Sequence, residues 1–180
     1  MSPIHLAKCV LLLGLSSWMT VAVFNNATDP STNHFFLGTM LDMHLLANDP
    51  NELGVGLRWR AWSASQAPLL LSLIIGVEVL ISAYLWKGGI SLTVAVIRQD
   101  EYGIEKARVT AVRSLVSFMA LWLTFLVGGL WFGYWIKQGA VQQVHITPLI
   151  LSTISIAFVA SGMSEASNHP RTKYDEAPPH

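Results

Sequence analysis

Four apolar runs set the limits on what this chain can become: residues 4–24, 67–86, 114–136 and 145–163 are long, hydrophobic and nearly free of charge. A hydrocarbon layer about 30 Å thick is crossed by roughly 20 residues of helix, because each residue rises about 1.5 Å. A soluble domain spaces its apolar residues at core periodicity instead of gathering them in runs. With 52% hydrophobic and 12% charged residues, and a mean hydropathy of +0.47, too little charge remains to coat a soluble surface. The runs therefore predict an all-α fold, a membrane bundle of four transmembrane helices in one domain over 1–163, followed by a polar tail over 164–180.

The first run lies where a secretory signal would, but Trp18 and Phe24 stand where small cleavage residues belong. That pattern predicts a retained helix. Net charge is zero, so nothing points to a nucleic-acid partner, and the single cysteine, Cys9, excludes an intrachain disulfide.

Sidedness follows from the basic residues, which favour the cytoplasmic face. Lys8, Lys87, Arg98, Lys106, Arg108, Arg113, Arg171 and Lys173 fall on one side, and only Arg58, Arg60 and Lys137 on the other. The expectation is a multi-pass protein of a bacterial inner membrane with both termini cytoplasmic. Trp59, Trp62, Trp131 and Trp135 then mark the outer boundary and Trp86 the inner one.

The connection 25–66 is long enough to hold structure of its own. Asp29-Pro30 reads as an N-cap with proline at the first helical position. Phe36, Met40, Met43 and Ala47 recur at helical spacing, the stripe of a periplasmic helix lying in the membrane interface before Asn48-Asp49-Pro50-Asn51. On the inner side Gly88-Gly89 interrupts the second run, and 90–97 is apolar enough to continue the helix or to lie in the interface.

Glu78 sits inside the second run. A carboxyl at the centre of a spanning helix costs on the order of 3 kcal/mol on insertion scales, so it must be neutral, paired or turned toward protein. One reading is a proton or ion relay. The simpler one is a hydrogen-bonded carboxyl that locks the bundle, with a serine of a neighbouring helix as its partner.

Small residues mark where helix backbones approach. Gly129 and Gly133 in the third run, and Thr153, Ala157 and Ser161 in the fourth, recur every four residues. In the second run Ser72, Gly76 and Ala83 share a face nearly opposite to Glu78, Leu71, Ser82 and Leu85. A helix with two protein-seeking faces implies docking against another integral membrane subunit.

The remaining motifs favour structure over chemistry. His44 with Met40 and Met43 has the donors of a copper site, but the methionines already belong to the apolar stripe. A two-histidine haem needs ligands at matching depth; His5 and His145 fall at opposite faces, leaving only His145 with His34 or His44. Arg58-Trp59-Arg60 fits a headgroup anchor, with Asp29 or Asp42 as a possible ion-pair partner for Arg60. No cofactor is expected beyond bound phospholipids, and no phosphate loop, zinc-protease pair or nucleophile elbow is present.

The order of features resembles the bacterial family of predicted small integral membrane proteins of unknown function, which have four spans. The matching pieces are Asn25-Asn26-Ala27-Thr28-Asp29, Asn33, Trp59-Arg60-Ala61, Glu78, Lys106-Ala107, Gly128-Gly129, Trp131-Phe132 and Trp135, over about residues 5–160. The chain departs from the family pattern at Leu130, where a glutamate is usual, at Gly139-Ala140-Val141, and in the order of Asp42-Met43. The resemblance implies the topology and no activity. The functional expectation is a non-catalytic accessory subunit of a larger membrane complex, respiratory or otherwise energy-transducing. The alternatives are a small proton-coupled transporter using Glu78 and a haem- or quinone-binding subunit.

Overall fold

The computed structural model describes residues 2–162. Among them the chain forms α1 (Pro3–Thr28), α2 (Pro30–Leu41), α3 (His44–Ala47), α4 (Ala67–Ile97), α5 (Glu101–Trp131) and α6 (Gly139–Ala160), with short 3-10 turns at Val55–Arg60, Ala64–Gln66 and Tyr134–Ile136. No strand occurs among the described residues. Four helices, α1, α4, α5 and α6, are long and apolar enough to cross a membrane. The tail expected over 164–180 lies outside the described residues.

The spans differ from expectation at their ends. Gly88-Gly89 does not interrupt α4, which runs unbroken to Ile97. A side chain at Gly88 would meet the Ala111 backbone and the Ser114 hydroxyl of α5 at 3.0 Å, and one at Gly89 would meet Leu13 of α1 at 3.2 Å. The two glycines form the crossing point of three helices, where lack of a side chain lets backbones approach. α5 starts well before its apolar run, at Glu101, with Asp100 accepting from the Gly103 N–H as N-cap. It also stops at Trp131, short of the expected residue 136, because Gly133 turns the chain at φ 67°. α4 and α5 each have 31 residues, about 46 Å of helix, so each overruns a core about 30 Å thick.

α4 packs against α1 on one side and α5 on the other, and α6 packs on α5. Leu12, Leu15, Met19, Leu85, Leu92, Leu115 and Phe118 fill the centre. Since lipid tails are as apolar as these side chains, close packing and hydrogen bonds carry the association. Trp18 of α1 stacks on Trp122 of α5, with ring centroids 6.3 Å apart at 13°, which fits the diagonal helices together.

One end of the bundle carries the connections 29–66 and 132–138; the other carries the 98–100 turn and the start and finish of the described chain. At this second end, Lys8 is 2% exposed. Its Nζ donates to the carbonyls of Val159 at 3.2 Å and Ser161 at 2.6 Å. Arg108 donates to the Gly162 carbonyl at 2.6 Å and pairs with Glu105 at 3.2 Å. The last carbonyls of a helix have no partner inside it and carry its negative dipole end. Two cations from α1 and α5 thus cap α6.

Candidate functional site

Glu78 is 3% exposed, and its partner is not the serine that the sequence suggests. Its Oε2 accepts from the Asn26 side-chain amide at 2.7 Å, and the Asn26 Oδ1 accepts from the Asn33 amide at 2.9 Å. Asn26 lies in the last turn of α1 and Asn33 in the first turn of α2. The acid therefore sits at the junction of α1, α2 and α4, held by neutral amides.

Local sequence makes that junction. Asp29 ends α1 and caps α2, its carboxylate accepting from Ser31 Oγ at 2.6 Å, Thr32 Oγ1 at 2.7 Å and the Thr32 N–H at 3.5 Å. The Ser31 and Thr32 hydroxyls hold its carboxyl below the usual carboxylate range. Pro30 supplies the first helical φ at no cost in hydrogen bonding. α2 then follows the start of α4: Gly38 lies against Ala64 and Ala67, and the Leu41 carbonyl accepts from Trp62 N–H at 2.8 Å.

A second polar link lies one turn further along α4. Ser82 Oγ lies 3.0 Å from Thr20 Oγ1, which also accepts from Trp86 Nε1 at 2.9 Å and donates to the Ser16 carbonyl at 2.8 Å. Glu78 and Ser82 thus share the face of α4 that meets α1, as helical spacing requires, with Leu71 and Leu85 buried on the same side.

The other small residues lie mostly outside the packed interior of the chain. Ser72, Gly76 and Ala83 are exposed, and a side chain at Gly76 would meet nothing within 4 Å. Thr153, Ala157 and Ser161 also face outward; α6 buries Pro148, Ser152, Ser155 and Val159 instead. Gly129 and Gly133 do not form a helix-packing stripe. Gly129 makes room for the Tyr134 ring, which a side chain would strike at 2.5 Å, and Gly133 is the turn itself.

The interfacial stripe of the 25–66 connection is also broken. Met43 takes a left-handed conformation at φ 53° between α2 and α3, so Phe36, Met40, Met43 and Ala47 are not one helical face. Met43 is buried with Leu41, Leu46, Ala67 and Phe132, whereas Phe36 is exposed. His44 is exposed beside Asn48, its backbone N–H bonded to Asp42 at 2.9 Å. Met43 is thus buried while its neighbour His44 is exposed, and no cluster of three His, Cys, Asp or Glu residues occurs among the described residues. His145 lies among aromatic rings, those of Trp122, Phe125 and Tyr134.

Arg60 does not pair with Asp29 or Asp42. Its guanidinium lies 5.2 Å from the Trp59 ring centroid and 4.7 Å from that of Trp131, and Nη1 donates to the Trp131 carbonyl at 3.3 Å. Trp59 and Trp131 meet edge to face, while Arg58 points outward. The ion pair that does tie down this end joins Lys137 to Asp49, a pair with no short-range sequence signal. The Lys137 bond and the Asn51 N–H at 2.7 Å hold the Asp49 carboxyl below its usual range.

Glu78 is conspicuous in the sequence as an acid within an apolar run, whereas Asn26 and Asn33 lie beyond that run and carry no such signal. They were visible only as recurring pieces of a family pattern, and the structure joins those pieces in one network. The family described as predicted small integral membrane protein (DUF2165) matches residues 4–161, nearly the whole chain, and the chain belongs to it. No curated protein and no solved structure matches it.

Proposed function

We propose that this member of the predicted small integral membrane protein family is a non-catalytic accessory subunit of a larger bacterial inner-membrane complex, an energy-transducing one being our first candidate. The observation that carries the reading is the uncovered small-residue face of α4. Glu78, Ser82, Leu85, Gly88 and Gly89 are used within the chain, whereas Ser72, Gly76 and Ala83 lie exposed with open space over Gly76. Small residues let a partner backbone come close, which is how spanning helices associate in lipid. The occupant is a transmembrane helix of another subunit.

Lysine and arginine asymmetry supports cytoplasmic termini, with α2 and the Trp59–Arg60–Trp131 cluster on the periplasmic side. Phospholipid headgroups suit exposed Arg58 beside Trp59.

Purification in mild detergent, with the co-migrating chains identified, tests the proposal. A stoichiometric membrane partner that is lost from Gly76→Leu but retained by Gly128→Ala supports it. Recovery of a monodisperse single chain from native membranes overturns it.

A proton-coupled carrier is the second reading, and the buried Glu78 carboxyl with only neutral partners favours it. Glu78→Gln separates the two. Loss of substrate flux with assembly intact supports the carrier; intact flux with a retained partner supports the subunit.

A further inference from the structure

Three polar side-chain atoms near the connection end are sealed from solvent and have no hydrogen-bond partner among the described residues: Trp122 Nε1, Tyr134 Oη and His145 Nδ1. They belong to one cluster. The His145 ring centroid lies 6.0 Å from that of Tyr134, at an interplanar angle of 21°, and 6.0 Å from that of Trp122. Phe125 closes the group, 5.6 Å from Trp122 and 5.2 Å from His145. Trp122 and Phe125 come from α5, His145 from α6, and Tyr134 from the turn between them.

The chain is built to put Tyr134 there. Gly133 turns the backbone at φ 67°, and Gly129 leaves the space that the phenol ring fills. The ring is 3% exposed. A phenylalanine would fill this space equally well, so the hydroxyl calls for a partner of its own. Isolated polar atoms are costly beside lipid, and native structures leave few of them unmatched.

The chemistry of the three atoms narrows the ligand. The indole N–H only donates, the phenol donates or accepts, and Nδ1 does either according to tautomer. An apolar molecule satisfies none of them, and a cation is refused by the indole donor. One neutral oxygen that both accepts and donates has the chemistry to serve all three, and about three hydrogen bonds is the usual complement of a buried water.

We propose that Trp122, Tyr134 and His145 form a binding site for a single buried water. It accepts from the indole, bonds the phenol and the imidazole, and joins α5, α6 and their connecting turn. This assignment is independent of the subunit reading.

Water-edited solid-state NMR tests it, on protein labelled with ¹⁵N-tryptophan in phosphatidylethanolamine–phosphatidylglycerol bilayers. Magnetisation should pass from water to Trp122 Nε1 at short mixing times. Trp86, whose indole is already bonded to Thr20, is the internal comparison and should receive less. Tyr134→Phe, which keeps the ring over Gly129, should weaken transfer to Trp122. Absence of transfer to Trp122 in the unaltered protein overturns the proposal, whether or not the variant folds. So does solvent extraction of a stoichiometric amphiphile whose removal shifts the Trp122 signal, since the site would then serve a lipid-borne carbonyl.

Discussion

The carboxyl of Glu78 accepts a hydrogen bond from the Asn26 amide across 52 residues of sequence, and Asn33 holds Asn26 in place from the other side. The three side chains tie α1, α2 and α4 at one point. Asn26→Leu removes the donor and leaves a buried carboxyl unmatched, which costs about 1–3 kcal/mol. Glu78→Gln keeps an acceptor oxygen for Asn26 and should change stability much less. Unfolding of both variants in a titration of denaturing detergent into mild detergent will check the order. A larger loss from Glu78→Gln than from Asn26→Leu would show that charge, and not the hydrogen bond from Asn26, matters at this position.

Two glycines of α4 should respond in opposite ways. At Gly88 a side chain meets backbone of α5, which cannot step aside, so Gly88→Ala should lose about 1–3 kcal/mol from overpacking. At Gly76 there is open space, and Gly76→Ala should be neutral or gain up to about 1 kcal/mol from reduced backbone entropy. The same unfolding assay on the isolated chain reads both.

The Asp49–Lys137 pair makes the connection end sensitive to acid. The folded state holds the Asp49 carboxyl below its ordinary value, so the unfolded state binds the proton more readily. Its contribution is complete above the unfolded carboxylate range, near pH 4, and is lost as pH falls through the lowered folded value. Limited proteolysis of the 42–62 segment should accelerate below about pH 4. Asp49→Asn should be cut faster at neutral pH and lose part of that acid dependence.

Lys8→Met keeps the length of the side chain and removes the ammonium from the Val159 and Ser161 carbonyls. Charge-assisted hydrogen bonds are worth about 1.5–3 kcal/mol each, partly offset by relief from burying a charge, so a net loss of about 1–2 kcal/mol is expected. Faster hydrogen exchange confined to the last turns of α6 will check it. Unchanged exchange there would mean that the carbonyls find other donors.

Transmembrane helices could be recognised from sequence because hydrocarbon thickness imposes a length that few soluble segments meet. Their ends were harder to read. The first turns of α5 carry Glu101, Glu105 and Arg108 and extend past the apolar run, where hydropathy gives no signal. At the other end of α5, apolar residues continue through Ile136 while the backbone has already turned at Gly133. Packing faces are obscure in the sequence for a different reason. α6 has small residues on two faces, and nothing in a spacing of four prefers Thr153 and Ala157 to Ser152 and Ser155. Glu78 stood out because a carboxyl in an apolar run must be explained. Asn26 did not, because polar residues are ordinary where a span ends.

The clasp between Lys8 and the final turn of α6 bears on biogenesis. The donor is in α1 and its acceptors are in the last turn of α6 and just beyond it, more than 150 residues later in the chain. A ribosome releases α1 long before those carbonyls exist, so the nascent ammonium must stay with water or headgroups until α6 has been made. Closure of the bundle is thereby postponed until α6 arrives, and a product cut short before α6 is left with an ammonium that has lost its carbonyl partners.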